Sequence, residues 1–111
     1  MPNPPPNEAL AELSDVLGVE NVKTLVHTFL RDFPISIRDI AAGNRKDRHR
    51  FAHSMKSNAR LMGAHDLSSR MATLEDRLAG ETGGDLTKED LAAIKSEFEA
   101  IAAPLRKFVG E

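Results

Sequence analysis

The sequence predicts an all-α fold, an up-down antiparallel four-helix bundle with a short extra N-terminal helix. Three observations carry this. Apolar residues recur in steps of three and four across five separate windows. No window alternates with the two-residue period of a strand. The breaks between windows are short and marked by Gly, Asn or Thr, so long amphipathic helices must fold back on one another.

Residues 1–6 hold four of the six prolines and read as an extended tail, leaving 7–111 as the single bundle domain. Asn7 is placed to cap a first helix with Glu8 at its positive end; Leu10, Leu13 and Leu17 form its stripe and Gly18 stops it. The second pattern is Val22, Leu25, Val26, Phe29, Leu30, Phe33, Ile37 and Ile40. Its phase persists across Pro34, which favours one kinked helix over two, with Asp32 as a fresh N-cap the competing reading. Gly43 ends it either way.

Asn44 is the N-cap of the third helix, with Asp47 three residues on as in a capping box. Phe51, Ala52, Met55, Ala59 and Met62 form its buried stripe and Gly63 terminates it. Leu67, Met71, Leu74 and Leu78 carry the fourth helix to Gly80, and Glu81-Thr82-Gly83-Gly84 is a loop. Thr87 with Asp90 signals the start of the last helix. Its seam is Leu91, Ile94, Phe98, Ile101, Leu105 and Phe108, and Pro104 is expected to kink or shorten it. Phe29, Phe33, Met55, Leu74, Phe98 and Ile101 are the expected core.

At 111 residues, 41% hydrophobic and 29% charged, the chain has the size and composition of one soluble domain. It lacks Cys, which excludes disulfides, thiolate catalysis and zinc–cysteine sites and fits a cytoplasmic protein. No apolar run approaches the roughly 18 residues of a membrane span, and the proline-rich start does not read as a signal peptide. A net charge of −2 and the absence of Tyr and Trp argue against nucleic-acid binding. Phosphate-binding Gly-rich loops, a Gly-x-Ser-x-Gly elbow and spaced carboxylate pairs are missing, so the chain has no visible means of binding ATP.

The informative stretch is the third helix. On a helical wheel Lys46, His49, Arg50, His53, Lys56, Ser57 and Arg60 fall opposite the buried stripe. His53 is therefore expected to be exposed, with Lys56 one turn on and the small Ser57 beside it. Neutral imidazole is a competent nucleophile near pH 7, and a neighbouring ammonium offsets the charge of a phosphoryl group placed on it. The plainer reading is a solvated histidine on a basic face, since residues 45–60 carry six Lys or Arg against one Asp. His49 and His53 at i, i+4 have metal-ligand spacing, but the residues between them are Arg-Phe-Ala and no third ligand is evident. His27 and His65 lack a recognisable context.

The run Ala52-His53-Ser54-Met55-Lys56-Ser57, then Leu61-Met62-Gly63-Ala64, Leu67 and Leu74-Glu75, resembles the histidine-containing phosphotransfer (HPt) domain family. The family pattern is Ala-His-x-Leu-Lys-Gly or -Ser, a Gly-Ala ten residues after the histidine, then a Leu and a Leu-Glu on the next helix. Phe29-Leu30-Arg31-Asp32-Phe33-Pro34 and Gly43-Asn44 also fit, and the resemblance spans Leu10 to Leu78. Ser57 stands where glycine is commonest, Met55 where leucine is, and Asn58 and Arg60 where small residues are frequent.

The resemblance implies a phosphorelay intermediate rather than a self-sufficient enzyme. His53 would take a phosphoryl group from a receiver-domain aspartyl-phosphate and pass it to another receiver aspartate. Lys56 would neutralise charge, and His49, Ser57, Arg60, Gly63 and Glu75 would belong to the partner-docking surface, with Gly63 the glycine at the helix end and Glu75 the polar residue facing the third helix. The implied partners are receiver domains of response regulators and of a hybrid histidine kinase, with Mg²⁺ supplied by the receiver and no cofactor held by this chain. A monomer is expected. The alternative is a non-catalytic helical adaptor that docks an acidic partner through the basic face of the third helix.

Overall fold

The computed structural model describes residues 4–80 and 82–111, so part of the expected tail (1–3) and loop residue Glu81 lie outside it. Five helices follow one another: α1 (Glu8–Leu17), α2 (Val19–Ala42), α3 (Arg45–Leu61), α4 (His65–Ala79) and α5 (Lys88–Val109). The described residues contain no strand. The all-α bundle with its extra N-terminal helix is thus the observed architecture. Among the described residues, no helix is long and apolar enough to cross a membrane.

The caps fall where the sequence puts them. Asn7 Oδ1 accepts from Leu10 N at 2.9 Å, and Asn44 Oδ1 from Asp47 N at 2.9 Å. Thr87 and Asp90 form a complete reciprocal capping box at α5. The box expected at α3 is one-sided, because the Asp47 carboxylate accepts from Arg50 at 3.0 Å instead. Gly18 adopts φ +88°, which lets it end α1 and begin α2 without a connecting loop.

Both internal prolines are absorbed. α2 runs unbroken through Pro34 and α5 through Pro104. Asp32 does not cap a second helix; it pairs with Arg31 at 2.8 Å. α5 is not shortened either. Burial of apolar side chains on both sides of each proline outweighs a local loss of about 3 kcal/mol.

The core gathers Leu10, Val22, Val26, Phe29, Phe33, Ile40, Met55, Met71, Leu74, Ile94, Phe98 and Leu105. Phe29, Phe33 and Phe98 form one aromatic cluster, with Phe33 stacked on Phe98 at a centroid distance of 5.1 Å and an interplanar angle of 7°. Ile101 corrects the expected core: it is only half-buried, on the wall of a groove beside α4, and its neighbour Ala102 is the buried residue. The 3.6-residue helix drifts against a strict seven-residue seam, so a seam read over six positions is out of phase at some of them. Phe51 and Leu13 are likewise half-buried, and Leu17 is 42% exposed.

The turn between α3 and α4 positions everything that follows. Gly63 has φ +73°; its N–H donates to Arg60 O at 3.1 Å, and Ala64 N–H donates to Ala59 O at 2.9 Å. These two bonds are the Schellman closure of a helix C-terminus. Asn7 covers the turn, its Nδ2 donating to Met62 O at 2.9 Å, and a Cβ on Gly63 would collide with the Asn7 side chain. Gly63→Ala is expected to lose about 2 kcal/mol, from the left-handed backbone and the disturbed Asn7 cap together. Chemical denaturation of Gly63→Ala, Asn7→Ala and the double variant checks this. Simple additivity of the two losses would show that residues 7 and 63 are not coupled.

Candidate functional site

α3 and α4 are antiparallel neighbours across that turn. His53 and Glu75 lie about 12 and 15 Å from it along their helices at 1.5 Å per residue, which brings them level. Ser68 Oγ fixes the register by donating to Lys56 O at 3.2 Å. The result is a three-residue cluster. Glu75 Oε2 lies 2.6 Å from His53 Nδ1, and Glu75 Oε1 accepts from Lys56 Nζ at 2.6 Å.

The three side chains differ in exposure: His53 61%, Lys56 30% and Glu75 13%. Glu75 is thus the base of the cluster and His53 its outer face. The ammonium of Lys56 holds the Glu75 carboxyl below its usual range, aided by the bond to His53 and opposed by partial burial. An ionised carboxylate only accepts hydrogen bonds, so the proton between Glu75 and His53 belongs to Nδ1. In the neutral ring this places the lone pair on Nε2, on the side away from Glu75. A neutral imidazole held in this way can present Nε2 to an external electrophile.

The remaining expected site residues divide. Ser57 is exposed, and its hydroxyl folds back to donate to His53 O at 3.2 Å, which leaves a low surface beside the imidazole. Arg60 is exposed one turn farther along. His49 is half-buried and outside the cluster. Glu75 and Gly63 are not on the expected docking surface: both Glu75 oxygens are engaged beneath His53 and Lys56, and Gly63 is buried under Asn7.

The basic face is also smaller than its sequence suggests. Arg45 donates to the carbonyls of Arg77, Gly80 and Gly83 at 2.7–3.1 Å, closing the end of α4. Arg48 donates to Ile40 O and Ala41 O at 2.8 Å, closing the end of α2, and pairs with Asp85 at 3.1 Å. These guanidiniums satisfy helix-terminal carbonyls that would otherwise lack partners. With Lys56 on Glu75, half of the six basic residues are internal staples.

The wheel did not anticipate an apolar patch. Val16 is 81% and Leu61 46% exposed, and with Leu13, Ser57 and Arg60 they line an open groove of about 510 Å³ between α1 and α3. The groove begins one turn from His53. Val16 lies off the expected stripe of α1 and Leu61 off the buried stripe of α3, so neither stripe includes them. Only the tertiary fold brings them to one groove.

Comparison with protein families gives a match to the Hpt domain over residues 8–104 of the 111-residue chain. Comparison with curated proteins and with solved structures gives no match.

Proposed function

The chain belongs to the Hpt domain family, and on that premise we propose that it is a phosphorelay intermediate with His53 as its phosphoryl-carrying residue. Hpt domains are phosphocarriers of two-component signalling that work with receiver domains. The observation that supports this particular histidine is its bond to Glu75, which commits Nδ1 and leaves an exposed Nε2. In the proposed cycle the Nε2 lone pair attacks phosphorus on a receiver aspartyl-phosphate. The P–O bond breaks and its electron pair returns to the aspartate. A second receiver aspartate later attacks the same phosphorus and returns the pair to Nε2.

Phosphoryl transfer rests on in-line positioning and charge stabilisation rather than on covalent help from the protein. The receiver domain supplies the aspartate and its Mg²⁺; this chain supplies the nucleophile and the nearby Lys56 ammonium. The apolar side chains of Val16, Leu13 and Leu61 dock the receiver, with Arg60 at the rim facing its acidic pocket. Partners would include the receiver of a hybrid histidine kinase and that of a response regulator. The chain would act as a cytoplasmic monomer.

The test is incubation with phosphorylated receiver domains, scoring label on this chain that is acid-labile and alkali-stable. Absence of such label overturns the proposal. Ser57→Phe checks the docking face: the bulky ring projects beside His53, so transfer is expected to fall by at least about tenfold, equivalent to about 1.4 kcal/mol, with helicity retained. Normal transfer by this variant would move docking away from the α1–α3 groove.

A further inference from the structure

We infer that the groove between α4 and α5 is a second docking site, which takes a lysine side chain from a partner-protein segment whose flanking residues are apolar. The groove offers about 350 Å³ of open space. Two independent features ask for the same occupant. The first is uncovered apolar surface. Ile101 follows the periodicity of the α5 core seam, yet it is only half-buried and its open side lines this groove. Leu67 and Ala64 are buried along the α4 side, and Ala100 is exposed beside Ile101. Aliphatic carbons laid here would leave water on both sides of the contact.

The second feature is an acceptor without a donor. Glu97 lines the groove, and its Oε1 accepts from Arg70 Nη2 at 2.7 Å. Its Oε2 is shielded from solvent and has no hydrogen-bond partner among the described residues. A carboxylate oxygen in that position is costly to leave unmatched, so a donor entering the groove gains the bond and relieves the cost. Asp66, exposed in the first turn of α4, adds a second carboxylate to the lining. Two carboxylates against the one guanidinium of Arg70 leave the groove net negative while the exposed His65 is neutral. The charge therefore calls for a cation. Arg70 already occupies Oε1, so a second guanidinium cannot grip both oxygens as a fork. The single-point ammonium of lysine fits the oxygen that remains, and its aliphatic stem fits the apolar lining.

The groove is separate from the face already described. None of its residues belongs to the His53 cluster or to the α1–α3 groove, and α5 contributes to neither. A receiver on α1 and α3 and a lysine-bearing segment on α4 and α5 can thus be bound at once. On the phosphocarrier reading, a segment tethered to a receiver would hold the carrier at a raised local concentration beside it.

The test is an NMR titration of the full isotope-labelled chain with the capped peptide Leu-Lys-Leu, read by amide chemical shifts. Saturable shifts centred on Ala64, Leu67, Ala100 and Ile101 are expected. The Leu-Arg-Leu peptide is expected to bind more weakly and Leu-Gln-Leu not to saturate. Glu97→Gln removes the charge but keeps the shape, and is expected to weaken the lysine peptide at least about tenfold, the loss of one bond between charged groups. Ala100→Leu fills the groove from an exposed position, so it is expected to abolish binding with the fold intact. Both variants are expected to accept phosphoryl groups at the wild-type rate. Equal binding of the lysine and glutamine peptides, equal or tighter binding of the arginine peptide, or unaltered binding by both variants would overturn the inference. Shifts at the groove that grow with protein concentration in the absence of peptide would assign it to a second copy of the chain and overturn it too. The titration needs no phosphoryl transfer, so its failure leaves the phosphocarrier reading intact.

Discussion

His53→Ala is expected to abolish phosphoryl acceptance completely while changing the free energy of unfolding by no more than about 1 kcal/mol. The loss is total because no other imidazole has the same setting. His49 is half-buried, and the described contacts of His27 are with the carboxylate of Glu111 at 3.8 Å rather than with a buried acid–lysine pair. The fold survives because the His53 side chain is 61% exposed and Glu75 keeps its bond to Lys56 when the ring is gone. Radiolabel transfer from a phosphorylated receiver, alongside a thermal melt of the same sample, measures both quantities. His49→Ala provides the counter-test and is expected to accept normally. Label that persists in His53→Ala and vanishes in His49→Ala would move the nucleophile one turn along α3.

The fold was legible because its determinants are local. The side-chain oxygens of Asn7, Asn44 and Thr87 accept from backbone N–H groups three residues on, and these caps appear at those positions. Periodicity also placed Phe29, Phe33, Met55, Leu74 and Phe98 in the core. It failed at Ile101, where a seven-residue seam was imposed on a 3.6-residue helix, and it could not decide whether α5 would survive Pro104. Survival depends on packing summed over the whole helix, which no local window contains.

The site was legible only in part, for a related reason. A wheel of α3 puts His53, Ser57 and Arg60 outside, and they are outside. A wheel says nothing about what another helix brings to that face. Glu75 comes from α4, 22 residues away in sequence, and turns an exposed imidazole into one with a defined tautomer. Likewise Arg45 and Arg48 look like surface charge until α4 and α2 end beside them with open carbonyls. Charge composition counts such residues as free; the bundle uses them as caps.

Phe98→Ala is expected to destabilise the bundle by about 3–5 kcal/mol, the range for deleting a fully packed aromatic ring. Phe98 is 2% exposed, stacks on Phe33 and stands 5.7 Å from Phe29, so its loss removes the α5 side of a cluster whose other two rings come from α2. Neither neighbour can move in to fill the space, because Phe29 and Phe33 are one turn apart on the same helix and already in contact at 5.0 Å. Ile101→Ala, at the half-buried groove position, is expected to cost well under half as much. Urea denaturation of the two variants, with unchanged slope, measures the difference. The aromatic cluster joins α2 to α5, whereas His53, Lys56 and Glu75 lie on α3 and α4. The folded fraction of Phe98→Ala is therefore expected to accept phosphoryl groups at the wild-type rate below its melting temperature. A stability loss within about 0.5 kcal/mol would place the ring at the surface, and a slowed transfer in the folded fraction would show that the α2–α5 packing reaches the histidine after all.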